Sequence, residues 1–323
     1  MHSNPPPSQT LTRFAPSPTG YLHVGHIASA IYVWGIAARF GASVLLRIED
    51  HDQGRCRPEY ERAILGDLRW LGFIPQNTDI FSGSPSTFRQ SDVFATYEEA
   101  LFRLGTHHKI YACTCSRKDI QSANKKLSLS GSSSSEDSGQ VDPSDDSELR
   151  YPGTCRDRGL PLDTKDACLR IALPDLDVSF TDLHVGFQVQ NPWRQCGDLV
   201  IRDRHGHWTY QFAVAVDDMR HEITHVIRGA DILSSTGRQI LLGSWLGRKA
   251  APTYFHHPLI VDESGRKLGK RFFSEAIGKR RADGDSPERI LGEAAFFVGL
   301  IPRNTPTSLR DLIQLLSGEG ICQ

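Results

Sequence analysis

The chain has 323 residues, 39% hydrophobic and 23% charged, with a formal net charge of −1, a soluble globular composition long enough for one large domain or two with real cores. Near-zero net charge gives no global signal for nucleic acid, and no apolar run approaches the roughly 18 residues of a membrane span. Residues 1–10 lack the apolar centre of a signal peptide, and seven cysteines, an odd number, argue against a disulfide framework, so a cytoplasmic chain with reduced thiols or a metal is expected.

Residues 1–10, with Pro5, Pro6 and Pro7 in a row, are expected to form a disordered tail. From Leu11 the order is strand, helix, strand. A short apolar run leads into Arg-Phe-Ala-Pro-Ser-Pro-Thr-Gly-Tyr-Leu-His-Val-Gly-His at 13–26, and a helix period follows with Ile27, Ile31, Trp34 and Ala38 on one face. Residues 43–48 read as a buried parallel strand that completes a βαβ unit, with Glu49, Asp50 and Asp52 at its carboxyl end, where open α/β sheets place ligand contacts. Pro58 opens a helix with Tyr60, Ile64, Leu68 and Leu71 inward and Gly72 at its close; another is expected over 91–104, stopped by Gly105.

After Tyr-Ala-Cys-Thr-Cys at 111–115, residues 121–148 are poor in apolar side chains and dense in Ser, Asp and Gly. Such a segment cannot bury enough surface to offset its ordering entropy, and reads as a mobile insertion. Strands are expected near 169–173, 178–182, 187–189 and 198–202, then an apolar helix at 210–216, a strand at 223–229 and a helix at 232–246. An apolar strand at 258–261 precedes a basic loop, and helical periodicity resumes at Pro287 with Pro302 and Pro306 as breakers. No internal repeat is present.

Three constellations carry chemistry. The strand–turn–helix at 13–26 makes an anion site, because free backbone N–H groups and the positive dipole end point at the turn. His23 and His26, three apart, share one face there and suit a triphosphate better than a metal; on spacing alone they read equally well as helix caps. In Gly-Arg-Lys-Leu-Gly-Lys-Arg at 265–271, four cations in six residues could fold over a phosphate chain, although such a loop alone reads first as a solvated basic one. Cys113-x-Cys115 with Tyr151-x-x-x-Cys155 supplies three thiolates and a further donor, enough for a closed tetrahedral zinc site; the alternative is three ordinary cysteines flanking a loop. Cys56, Cys168, Cys196 and Cys322 match no pattern and read as structural.

The wording of these segments resembles a known family. His-Val-Gly-His at 23–26 is similar to the HIGH signature of class I aminoacyl-tRNA synthetases, and the preceding Arg-Phe-Ala-Pro-Ser-Pro-Thr-Gly narrows the likeness to the glutamyl branch. The resemblance covers roughly residues 11–273 and implies an α/β fold: a Rossmann-like parallel sheet with an inserted zinc-containing subdomain. The halves of the nucleotide-binding domain would be 11–105 and 198–273, with the insert at 106–197 and a helical segment at 274–323. The basic loop resembles the KMSKS loop, with Gly269 where the family carries serine, so a hydroxyl is lost but no charge. It implies that His23, His26, Lys267 and Lys270 hold ATP, with Mg2+.

A glutamate pocket needs guanidiniums for two carboxylates, a phenol or amide, and an acid for the ammonium. Arg13, Glu49, Tyr210 and Arg228 fit that need, and the resemblance assigns those positions together with Phe14, Ala15, Pro16 and Ser17. Glu49 and Arg228 read alternatively as a buried ion pair or edge charges.

The Cys113, Cys115, Tyr151 and Cys155 set is similar to the zinc pattern of glutamyl-Q tRNA(Asp) synthetases. So are Arg-Gly-Ala-Asp ending at Asp231, and Val214, where full-length glutamyl enzymes tend to carry asparagine. The chain also ends about fifty residues past the lysine loop, where those enzymes continue into anticodon-binding domains. The likeness implies ATP-dependent activation of L-glutamate and its transfer to queuosine at the wobble position of tRNA(Asp), by a monomer with no membrane partner. Two alternatives are a minimal glutamyl-tRNA synthetase charging a 3′ end and a non-catalytic tRNA-binding paralogue.

Overall fold

In the computed structural model, residues 9–82, 86, 88–130, 149–259 and 275–318 are described. β1 (Leu11–Phe14) and β2 (Ser43–Leu46) pair in parallel, Leu11 opposite Ser43, across the crossover helix α1 (Val24–Arg39). The expected strand 43–48 is shorter, because its last residues leave the ladder: Ile48 bridges Arg89 instead.

The second half-sheet runs β6-β5-β9-β8, where β5 is Val178–Asp182, β6 Gly186–Gln190, β8 His225–Gly229 and β9 Thr253–His257. β5 and β8 both run parallel to β9, whereas β6 returns antiparallel as a hairpin partner of β5. The two half-sheets meet where the Thr224 N–H donates to the Leu11 carbonyl at 2.9 Å and the Leu11 N–H to Thr224 Oγ1 at 2.8 Å. β9 lies just ahead of the strand expected at 258–261, of which 260 and 261 lie outside the described residues. Tyr254, Phe255, His256 and His257 are all buried, and two buried histidines hide the strand from an apolar-run reading.

α1 is buried on nearly every face, not along one stripe. Ile27, Ile31 and Trp34 are inside as expected, but Ala38 is exposed. The reason is a third layer: α1 lies between the sheet and the C-terminal helices α9 (Pro287–Phe297) and α10 (Leu309–Ser317), in one cluster with Ile290, Leu312 and Leu316. α2 (Pro58–Leu71) ends at Gly72 as expected, whose φ of 87° lets the Phe73 N–H reach the Leu68 carbonyl. The helix expected at 91–104 is a 3₁₀ turn (Gln90–Val93) followed by α3 (Phe94–Gly105), with Gly105 inside it and Thr106 as the cap. Likewise a 3₁₀ turn (Ala230–Ser235) precedes α7 (Thr236–Trp245), while α5 (Pro192–Cys196) and α8 (Ile277–Ala282) are short helices.

A separate antiparallel sheet, β3-β4-β7 (Ile110–Cys113, Cys168–Ile171, Leu199–Arg202), packs with α3, α6 (Tyr210–Arg220) and α7. Residues 121–130 of the expected insertion are helical and belong to α4 (Arg117–Ser130). Ser116 and Asp119 cap it reciprocally, the Asp119 N–H donating to Ser116 Oγ and the Ser116 N–H to Asp119 Oδ2. Buried Ile120 anchors it. Residues 131–148, most of the expected insertion, lie outside the described residues, as do 1–8 and the basic loop.

Candidate active site and thiol cluster

The carboxyl ends of β1 and β8, the start of α6 and the first turns of α1 surround a cleft of ≈ 230 Å³. Every residue expected to hold the amino acid lines it: Arg13, Phe14, Ala15, Pro16, Ser17, Glu49, Tyr210 and Arg228. His26 joins them, together with Ser29, Val33, Ile227, Gly229 and Ile232, which the sequence reading did not single out. Of the three carboxylates expected at the β2 end, only Glu49 faces the cleft. Asp50 accepts the Ser91 N–H at 2.9 Å and Asp52 pairs with Arg55 at 2.6 Å, so both are engaged in holding their own loop.

Beneath the cleft is a buried charge network centred on Arg47, which is 0% exposed. Its Nη2 donates to Glu49 Oε1 at 2.8 Å and its Nη1 to Asp218 Oδ1 at 2.7 Å, while Arg13 Nε donates to the same Asp218 oxygen at 3.0 Å. One guanidinium therefore holds the cleft's acid directly and one of its cations through an aspartate. Asp217 lies 3.8 Å from Arg47 Nε and accepts from Gln90, Tyr97 and Arg220. Burial pushes the Asp218 carboxyl up, but Arg13 and Arg47 overcome it and hold the group well below the usual carboxylate range. Burial likewise opposes the Arg47 charge, and Asp218, Glu49 and Asp217 outweigh it, so the proton is held more tightly than usual. The sequence carried a signal for this network. An arginine inside an apolar strand needs a buried carboxylate, and Asp-Asp at 217–218 in an apolar helix offers one.

Glu49 is thus both a buried ion-pair partner and a cleft residue. Arg228 is held differently: Nε donates to His256 Nε2 at 2.9 Å, Nη1 to Gln239 Oε1 at 2.6 Å and Nη2 to Thr236 Oγ1 at 2.9 Å. All three acceptors are uncharged when His256 is neutral. Burial pushes the half-buried Tyr210 phenol up, with the Arg228 charge working against it.

His23 is the N-cap of α1. Its Nδ1 accepts the Gly25 N–H at 3.1 Å, and His26 Nδ1 accepts the His23 N–H at 3.1 Å, a reciprocal capping box with ring centroids 3.9 Å apart. Capping and anion binding are therefore compatible, because accepting at Nδ1 leaves Nε2–H as the donor of each neutral ring. Lys267 and Lys270 lie outside the described residues.

The Cys113, Cys115 and Cys155 sulfurs lie within 4.8 Å of one another, Cys115 and Cys155 at 3.5 Å. A tetrahedron with Zn–S bonds near 2.3 Å has edges of about 3.8 Å, so the three sulfurs fit one ion. Tyr151 Oη lies 3.3 Å from Cys113 Sγ and accepts the Cys155 N–H at 2.7 Å, within reach of the same centre. Hydrogen bonding with Cys168 and Tyr151 holds the Cys113 thiol down to about 4 against burial, whereas burial and its neighbours push Cys115 up to about 12. The three sulfurs would ionise together only with a cation among them. Gly197, at φ 70°, closes the site from behind, for a Cβ there would lie 1.9 Å from the Tyr151 carbonyl oxygen.

Comparison with known proteins gives a consistent result. The family described as tRNA synthetases class I (E and Q), catalytic domain, matches residues 9–305. The glutamyl-Q tRNA(Asp) synthetase of Symbiobacterium thermophilum is 38% identical over 93% of this chain and 90% of its own length. That of Rhodobacter capsulatus is 37% identical over 87% of this chain and 99% of its own. Among solved structures, a glutamate tRNA ligase from Elizabethkingia meningosepticum in complex with its amino acid superposes with a TM-score of 0.72 at 25% identity, covering 96% of this chain and 66% of that one. The chain thus spans about two thirds of that ligase. Among the described residues, no helix is long and apolar enough to cross a membrane.

Proposed function

The chain belongs to the class I tRNA synthetases of the glutamyl and glutaminyl branch, and from that premise we propose that it activates L-glutamate with ATP and esterifies it onto queuosine at the wobble position of tRNA(Asp). The observation that carries this reading is the convergence of Arg13, Glu49, Tyr210 and Arg228 on one cleft beside His26. Glutamate brings two carboxylates and one ammonium. Arg228 has five N–H groups and commits three, leaving two for a carboxylate. Arg13 offers the second cation and Glu49 accepts the ammonium, while Tyr210 supplies a phenol at the wall.

The reacting carboxylate attacks the α-phosphorus of ATP and releases pyrophosphate. Charge stabilisation is needed there mainly in the transition state, which we assign to the Nε2–H groups of His23 and His26, the start of α1, and Lys267 and Lys270. Mg2+ accompanies ATP in this reading and neutralises phosphate charge. A zinc ion held by Cys113, Cys115, Tyr151 and Cys155 would be structural, its closed donor set tying β3 to the segment around Tyr151. The wobble base must leave its stack to reach the cleft, at a cost of a few kcal/mol that is smaller for an unpaired loop base.

Two assays test the proposal. Glutamate-dependent ATP–pyrophosphate exchange without tRNA should be present; its absence would favour a non-catalytic paralogue. Labelled glutamate should transfer to tRNA(Asp) carrying queuosine and not to the same transcript without it, and removal of the 3′-terminal adenosine should have no effect. Glutamylation of an unmodified tRNA(Glu) transcript at its 3′ end would refute the acceptor assignment.

A further inference from the structure

Arg228 is held by neutral groups, yet a carboxylate stands directly behind them. Asp182, 1% exposed, accepts the backbone N–H groups of His184, Val185 and His256 at 2.9, 3.0 and 3.1 Å. An acceptor-only carboxylate so held requires a donor from the fourth direction. His256 Nδ1, 2.6 Å from Asp182 Oδ2, must therefore carry the proton. Its Nε2 is then a lone pair, which is what the donor-only Nε of Arg228 needs at 2.9 Å. The other two acceptors are fixed in the same sense. Gln239 donates its own amide to Gln211 Oε1 at 2.9 Å, so Oε1 is the atom left for Arg228.

We propose that Asp182 and His256 form a buried relay that positions Arg228 for a substrate carboxylate while leaving its charge uncompensated by direct contact. Arg13 is a useful contrast, since Asp218 bonds it directly and competes with any ligand for its charge. Behind Arg228 the carboxylate is displaced by one imidazole. The imidazole orients the guanidinium through its lone pair, the remote charge polarises the imidazole, and no anion within the described residues occupies the face that a ligand would take. His256, 0% exposed, is not itself a cleft-lining residue and its side chain bonds Arg228, so it is a positioning residue rather than a catalytic one. Burial lowers the His256 pKa, which keeps the ring in the required neutral form.

The inference rests on the glutamate reading above, and its test separates the two. His256→Asn keeps a donor for Asp182 but presents nothing at the Nε2 position; His256→Gln places a carbonyl near that position and restores the acceptor. Exchange kinetics for wild type and both variants would be measured against glutamate and against ATP, with urea melts of each. Loss of one hydrogen bond to a charged group predicts a glutamate KM raised roughly ten- to a hundredfold in His256→Asn, with the ATP KM within about twofold, and substantial recovery in His256→Gln. A folded His256→Asn enzyme with an unchanged glutamate KM would overturn the relay. So would a His256→Gln enzyme impaired as much as His256→Asn, or KM values for both substrates rising together. If His256→Asn does not fold, His256→Gln decides alone: near wild-type glutamate KM supports the relay, and a raised one overturns it. Wild-type exchange that does not depend on glutamate would overturn the functional reading itself, and the relay's role with it.

Discussion

Replacing Arg47 by lysine asks how far the cleft depends on the network beneath it. The charge is kept, but one ammonium cannot serve Glu49 and Asp218 as two separate guanidinium nitrogens do at 2.8 and 2.7 Å. One charge-assisted bond is therefore lost, worth about 1.5–3 kcal/mol, and a buried carboxylate oxygen is left underserved. Because the net charge survives, the cost should stay below the 3–5 kcal/mol of removing a buried partner outright, as in Arg47→Met. We expect a stability loss of about 2–3 kcal/mol in urea unfolding. In exchange assays the glutamate KM should rise roughly tenfold or more, since Glu49 loses its anchor and Arg13 leans on the same Asp218. The ATP KM should hardly move. A variant that loses the stability but keeps the wild-type glutamate KM would show that Glu49 and Arg13 hold their places without Arg47, and the positioning argument would be wrong.

Metal analysis of protein purified without added zinc should give about one equivalent per chain, lost in Cys155→Ser; metal-free wild type, or metal retained after replacing both Cys115 and Cys155, would reject the site. Gly197→Ala, which drives a Cβ into the Tyr151 carbonyl and needs φ 70°, should release the metal as effectively as losing a ligand; a fully loaded variant would contradict that geometry. Asp67→Asn tests a buried carboxyl on α2 whose Oδ2 has no partner. Burial raises its pKa from 3.8 to about 6, with Arg281 and the Gly278 N–H opposing. The folded state thus holds this proton more tightly, a contribution complete below pH 3.8 and lost as pH rises through about 6. The asparagine variant should be more stable than wild type by about 1–3 kcal/mol at pH 7 and indistinguishable near pH 3; equal urea midpoints at pH 7 would refute the assignment.

What could be read from the chain, and what could not, divides along physical lines. The turn at 13–26 was legible because Pro and Gly punctuate it and the helix period starts cleanly behind it. Arg13, Glu49, Tyr210 and Arg228 are legible from their places at strand and helix ends and from what a glutamate requires, whereas Phe14, Ala15, Pro16 and Ser17 rest on the family resemblance. Arg47 sits in an apolar run and reads as strand, although its burial calls for the counter-charges of Asp217 and Asp218. β9 escapes an apolar-run reading, since hydrogen-bonded histidines can be as buried as leucines while lowering the local apolar signal. The all-round burial of α1 depends on helices almost three hundred residues away, a fact no local window contains. The later turns of α4, 121–130, read as part of a mobile insertion because their composition outweighs the cap and the anchor, Ile120, in the turn before them.

The shared aspartate under the cleft also bears on how this pocket could come to accept another amino acid. Arg13 and Glu49 are joined through Asp218 and Arg47, so a change at either wall removes one partner of a buried charge in the floor. Single substitutions aimed at substrate preference would then carry a stability cost before any new preference showed itself. Viable routes would run through paired exchanges, a wall residue together with its counter-charge below. Diversification restricted to the cleft lining should therefore be poor in active clones, and libraries that vary Arg47 and Asp218 alongside it should be richer.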